Sequence, residues 1–276
     1  MKKILFLSLT LILCFSLQAK ETAGSLVSLE VIPHYSSIGK ETKDFLITFK
    51  FRITKDWHIY WQNAGDSGIP TEILIDTSNV SVSEIMWASP ELISSSEIIN
   101  YGYSDSVVLF IRVTPKDNQT ENITISGKAK WLVCKEKCIG ESTDFKTNIS
   151  VGELVKNVIW EKQKIDKAYS QLPFTGGLFT ANAYQNGKDV TLSLNSLNKS
   201  IIDLLKAKVQ FWAYEGGLFK NIEKQDVSKL NIKLKQDEFI ETLPKKFKGL
   251  LIGNKGWFGV PDLKSLEIEV NLHTNN

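Results

Sequence analysis

Cys134 and Cys138 are the residues of this chain whose type and spacing best suit chemistry. They are separated only by Lys135, Glu136 and Lys137, and the one other cysteine is Cys14. Two thiols this close can close a disulfide, exchange it with another protein's thiolate, or hold a soft metal ion. As a staple the pair would contribute little: closing a loop of about five residues is worth ~2 kcal/mol in the chain-entropy model, against ~3 for fifteen. A chain of 276 residues can bury a core of its own without that help. Exchange needs an attacking thiolate to reach one sulfur while the other leaves, and a tight loop directly after a strand permits that approach. Lys135 and Lys137 favour a thiolate and Glu136 opposes them. A passive disulfide is the plain alternative.

The histidines are His34, His58 and His273. A Cys-x-x-x-Cys pair with a distant histidine is how Sco-type copper chaperones hold copper, and thiolates do select Cu(I), so His58 is the candidate third ligand. Those chaperones use a βαβ scaffold, whose alternation is missing here. A four-ligand zinc pattern is absent as well, since one close cysteine pair is all there is. The leading expectation is therefore a site with no metal and no cofactor.

The start of the chain reads as an export signal. Lys2 and Lys3 precede an apolar run over 4–17, and Leu17-Gln18-Ala19 ends in a small residue suited to cleavage. Lipidation at Cys14 is the weaker reading, because Leu13 stands where a small residue is needed. The run is short for a membrane span of ~20 residues, and no later stretch approaches that length. Export into an oxidising compartment, most simply a bacterial periplasm, is where a dithiol can cycle. Lys and Arg number 33 against 31 Asp and Glu, and removing Lys2 and Lys3 balances them. With no basic block, nucleic acid is a poor partner.

The elements that must position the cysteines read as strands. Phe45, Ile47, Phe49, Phe51 and Ile53 alternate with polar or smaller neighbours, and Ile123, Ile125, Ala129, Trp131 and Val133 repeat the pattern up to Cys134. Shorter candidates lie at 27–32, 71–75, 84–87, 107–113 and 145–151, with turn signals at 63–68, 89–90 and 114–118. This spacing without helical pattern predicts an antiparallel β-sandwich over 20–152. A helical spacing predicts a helix over 154–172, ended by Pro173, as the linker at 153–173. Strands at 178–184, 190–194, 209–214, 230–234, 250–252 and 266–272 predict a second β-rich domain over 174–276, its first hairpin turning at Asn186-Gly187. The fold class expected is all-β.

The segment Trp131-Leu132-Val133-Cys134-Lys135-Glu136-Lys137-Cys138-Ile139 resembles the cysteine segment of the periplasmic N-terminal (alpha) domain of DsbD-type disulfide reductases, closer to the ScsB-like branch. Trp57-His58-Ile59-Tyr60-Trp61-Gln62-Asn63-Ala64-Gly65-Asp66-Ser67-Gly68-Ile69-Pro70 resembles that branch's tryptophan-rich segment, as does Asn100-Tyr101-Gly102-Tyr103. The resemblance covers about residues 25–152 and departs at Gly140, where the family usually has proline. It implies an immunoglobulin-like sandwich whose Cys134/Cys138 pair relays electrons. The implied partners are thioredoxin-like periplasmic proteins and a membrane-embedded disulfide reductase, which other polypeptides would supply. Of the aromatic segments, Trp57 and Trp131 are expected to fill the core. Tyr60, Tyr101 and Tyr103 are candidates for shielding the sulfurs, and the 65–68 loop with Asp66 for a mobile cap over them.

Overall fold

The computed structural model describes residues 22–23, 26–95, 97–117, 121–157, 162–176, 180–195, 209–222, 225–228, 230–253, 257 and 262–274. The expected leader at 1–19 lies outside them. Two sheets form the first part of the chain. One runs, in spatial order, Thr22–Ala23, Val27–Pro33, Phe45–Ile53, Ser106–Pro115 and Val80–Val82. The other runs Val155–Lys156, Tyr35–Ile38, Cys138–Val151, Asn122–Cys134, His58–Gly65, Ile98–Ser104 and Glu91–Ser95, with Glu72–Ile75 also paired to Asn122–Cys134. Nearly all pairings are antiparallel, but Cys138–Val151 meets Tyr35–Ile38 in parallel.

The alternation in the sequence becomes the interior of a sandwich. Phe45, Ile47, Phe49, Phe51 and Ile53 are all buried, and they meet the second sheet through edge-on rings. Phe49 stands 5.3 Å from Phe145 and Phe51 5.5 Å from Trp131, centroid to centroid. Such interdigitated inner faces are what hold two aligned sheets together. Trp131 also donates its indole N–H to Glu141 Oε2 at 3.1 Å, so its polar tip is satisfied at the core's edge.

Two expectations are corrected. The 84–87 segment is not a strand: only Met86 bridges, to Phe110. The Val80–Val82 strand takes the ladder positions beside Ser106–Pro115 instead. The helix is shorter than its periodicity suggested, spanning Lys162–Ser170, because Val155–Lys156 pairs as a strand with Tyr35–Ile38. It also packs on the first sheet: Ile165 joins Ile32 and Phe110 in a small buried cluster, with Tyr169 edge-on to Phe110.

Beyond the helix a seven-stranded sheet runs Val209–Ala213, Lys246–Gly253, Ser265–Thr274, Thr180–Asn186, Asp189–Asn195, Asn231–Lys235 and Asp226–Ser228. Its hairpin at Gly187 has the positive φ of 59° that glycine adopts freely. The sheet carries a second core, including Leu192, Phe211, Phe247, Leu251 and Trp257. Two of its residues, Trp212 and Leu250, are instead buried in the core of the first sandwich.

Candidate functional site

The hairpin made by Asn122–Cys134 and Cys138–Val151 holds one unbroken register, from Asn122 opposite Ser150 to Cys134 opposite Cys138. Lys135, Glu136 and Lys137 close its tip, with Lys135 N–H donating to the Lys137 carbonyl at 3.1 Å. The two cysteines are thus directly opposed residues, 4.1 Å apart at Cα, and are joined as a disulfide. Directly opposed residues point to the same face of a sheet, which lets their sulfurs meet.

That face is the outer one. Val133 and Trp131 point into the sandwich core, so Cys134 and Leu132 point away from it. Cys134 is nevertheless 2% exposed, whereas Cys138 is exposed at the hairpin tip. The cover over Cys134 comes from the neighbouring strand His58–Gly65. His58 lies opposite Cys134 on the side away from Cys138. Tyr60, two residues on, returns to the same face and packs with Ala64, Leu132 and Cys134 in a satellite cluster. His58 Nε2 lies 3.3 Å from the Tyr60 hydroxyl, and their rings meet edge-on. Burial pushes the His58 imidazole below its usual range and the Tyr60 hydroxyl above its own. At the tip, Lys135 pairs with Asp56 at 3.3 Å in the open, so the lysine's charge is shared with a carboxylate.

A second layer lies on Tyr60. The bend over 65–68 folds back so closely that a Cβ on Gly68 would come within 2.4 Å of the Tyr60 ring, and one on Gly65 within 2.3 Å of the Ile99 carbonyl. Both glycines have φ near +90°, so both are required by conformation as well as by space. Asp66 fastens the bend, its N–H donating to the Ile99 carbonyl at 2.8 Å and its Oδ2 accepting Ile99 N–H at 2.7 Å. Ser67 N–H donates to Asn100 Oδ1 at 3.0 Å.

Of the residues expected at the sulfurs, Cys134, Cys138 and Tyr60 come together, and Asp66 anchors the bend that rests on Tyr60. Tyr101 and Tyr103 do not join them. The register sets Tyr103 opposite Ile59, on the core face, and Tyr101 shares that face. Tyr103 donates to the Ala88 carbonyl at 2.8 Å, and the Tyr101 ring lies 4.7 Å from that of Trp212, tilted by 34°. Sequence reasoning did not single out Ala64 or Leu132. The usable signal was strand parity: Leu132 is two residues before Cys134, and therefore beside it. Among the described residues no group of three or more His, Cys, Asp or Glu is placed to hold a metal ion.

The site is thus a disulfide at a hairpin tip of a β-sandwich, with Cys134 sealed and Cys138 open. Residues 29–149, a little under half of the chain, match the family of the N-terminal domain of thiol:disulfide interchange protein DsbD, and over that part the chain is similar to this family. The N-terminal periplasmic domain of ScsB from Proteus mirabilis superposes with a TM-score of 0.61 at 17% identity, covering 90% of this chain and 93% of that one. Its fold therefore extends over the second β-rich part too. The periplasmic chaperone SfaE and the chaperone YadV align at TM-scores of only 0.24, with 9% and 8% identity, over 89% and 88% of this chain and 100% and 99% of theirs. No curated protein sequence matches the chain.

Proposed function

We propose that the chain is a periplasmic thiol–disulfide relay in which Cys138 exchanges with partners and Cys134 resolves. The observation that carries this reading is the unequal exposure of two sulfurs in one bond. A partner's thiolate can approach Cys138 Sγ along the line of the disulfide. The new bond joins the partner to Cys138, the Cys134–Cys138 bond breaks, and its electron pair leaves on Cys134 Sγ. A second thiolate of that partner then attacks its own sulfur in the mixed disulfide and releases Cys138, so two electrons have entered the pair. In the forward half, Cys138 thiolate attacks a target disulfide, and Cys134 thiolate then attacks Cys138 Sγ and frees the reduced target.

Thioredoxin-like proteins and a membrane-embedded reductase fit as the two partners, since each presents a dithiol or disulfide able to meet an exposed hairpin tip. Among the described residues no helix is long and apolar enough to cross a membrane. The match of residues 29–149 to that family supports the periplasmic setting, as does the basic and apolar start of the chain.

Single serine variants test this. Cys134→Ser leaves Cys138 without its resolving partner and is expected to accumulate a mixed disulfide with a thioredoxin-like protein, seen on a non-reducing gel. Cys138→Ser is expected to trap far less, because the remaining sulfur is sealed. Equal trapping by both variants would overturn the assignment of roles, and none by either would overturn the relay.

A further inference from the structure

The bend that rests on Tyr60 is held from two sides, and one of them belongs to the second β-rich part of the chain. Asn63, buried just before the bend, donates through Nδ2 to the Ala213 carbonyl at 2.8 Å and accepts Gly65 N–H on Oδ1 at 3.0 Å. One side chain thereby ties the last residue of the Val209–Ala213 strand to the first glycine of the bend. Asp66, already fastened to Ile99, accepts Asn221 Nδ2–H on Oδ1 at 2.8 Å. Gly216 sits against Asn63 from the same side, where a Cβ would come 3.2 Å from Oδ1. Trp61 and Tyr101 complete the seam, 5.6 Å from Tyr214 and 4.7 Å from Trp212.

From this juxtaposition we infer that Asn63 and Asn221 are positioning residues for the redox pair, through which the second β-rich part keeps the bend closed on Tyr60 and Tyr60 closed on Cys134. The inference rests on the relay reading for its purpose but not for its mechanics. The order of contacts is fixed: Ala213 and Asn221 hold Asn63 and Asp66, these hold the bend, Gly68 lies on Tyr60, and Tyr60 covers Cys134. Loosening the first contact lets the last one open, so the second part of the chain governs how freely Cys134 can meet anything but Cys138.

The test reads Cys134 directly and needs no partner protein. In the full chain carrying Cys138→Ser, the rate of iodoacetamide alkylation at Cys134 is followed by peptide mass mapping in native buffer. Asn63→Ala, Asn221→Ala and Gly216→Ala are each compared with Lys220→Ala, whose lysine pairs with Glu238 away from the bend. Asn63→Ala and Gly216→Ala are expected to speed alkylation roughly three- to tenfold, the change that loss of one buried hydrogen bond makes in a local opening equilibrium. Asn221→Ala, removing an exposed bond, gives a smaller rise, and Lys220→Ala gives none. The urea midpoint is measured alongside, and faster alkylation at an unchanged midpoint separates positioning from general destabilisation. Should Asn63→Ala not fold, Gly216→Ala decides, since it perturbs Asn63 from the far side of the seam. Unchanged alkylation in folded Gly216→Ala and Asn221→Ala overturns the inference. Faster alkylation with no trapped partner leaves it standing and removes only the relay.

Discussion

At the scale of single residues, His58 is where two readings of the cysteine pair divide. It lies opposite Cys134, the place a third copper ligand would occupy, but its ring packs on Tyr60 and its Nε2 faces the tyrosine hydroxyl. His58→Ala is therefore expected to change the Cu(I) affinity of the reduced protein by less than about tenfold, the lower bound for losing a group that tunes a metal site. The same variant is expected to leave thiol exchange largely intact. Competition against a Cu(I) chelator measures the first point, and tight copper binding lost with His58 would make the sulfurs a ligand set. His58 and His34 also give the fold a pH dependence. Burial lowers both imidazoles from 6.5, and His34 Nε2 lies 2.8 Å from the buried Thr48 hydroxyl. The folded state holds them neutral, while the unfolded chain takes up protons near 6.5, so protons favour unfolding. Stability is full above pH 6.5 and falls on acidification below it. Urea midpoints between pH 8 and pH 5 are expected to show this, with a shallower slope in His58→Gln.

At the scale of elements, the hairpin holds its register without the bond at its tip, since backbone pairing continues without a break to Asn122 and Ser150. Reduction is expected to lower the melting temperature by less than about 10 °C, as follows from ~2 kcal/mol in a domain of this size. Collapse on reduction would turn the pair into a staple. The first arm of this hairpin was legible in the sequence, because Ile123 to Val133 alternate cleanly and the polar trio after Cys134 marks a turn, whereas the second arm was read only from Phe145 and in fact begins at Cys138. The strand that covers the sulfurs was not. His58–Gly65 buries Ile59, Tyr60 and Trp61 in succession, since its register with Ile98–Ser104 shifts between Tyr60 and Gly65 and one side is covered by the bend. Consecutive burial erases the period-two signal. For the same reason Tyr101 and Tyr103 could not be assigned to a face from their types alone: parity decides it, and parity depends on the register with Ile59. The short helix was read too long because Val155 fits a helical stripe and a strand equally well.

At the scale of the whole molecule, the two cores are joined by a side chain that belongs to one sheet and is buried in the other's interior. Trp212 is on the Val209–Ala213 strand, yet lies within the first sandwich's core against Tyr101. Trp212→Ala is expected to cost about 3–5 kcal/mol, as for other fully buried aromatics. Because the cavity opens beneath Tyr101, the loss should appear in the melting of the first sandwich as well as the second sheet. Tryptophan emission and hydrogen exchange in Ile98–Ser104 would report it. Exchange unchanged in that strand would mean that the cores are energetically separate.

The position of Ser265–Thr274 has a consequence for the order in which the molecule matures. This strand lies inside the seven-stranded sheet, third in spatial order between Lys246–Gly253 and the parallel Thr180–Asn186, although it follows both in sequence. The sheet therefore lacks an interior strand until residues 265–274 have joined it. The hairpin bearing Cys134 and Cys138 emerges far sooner and needs nothing from that sheet to pair. The cysteine pair is thus complete in its own hairpin while the seven-stranded sheet still lacks an interior strand.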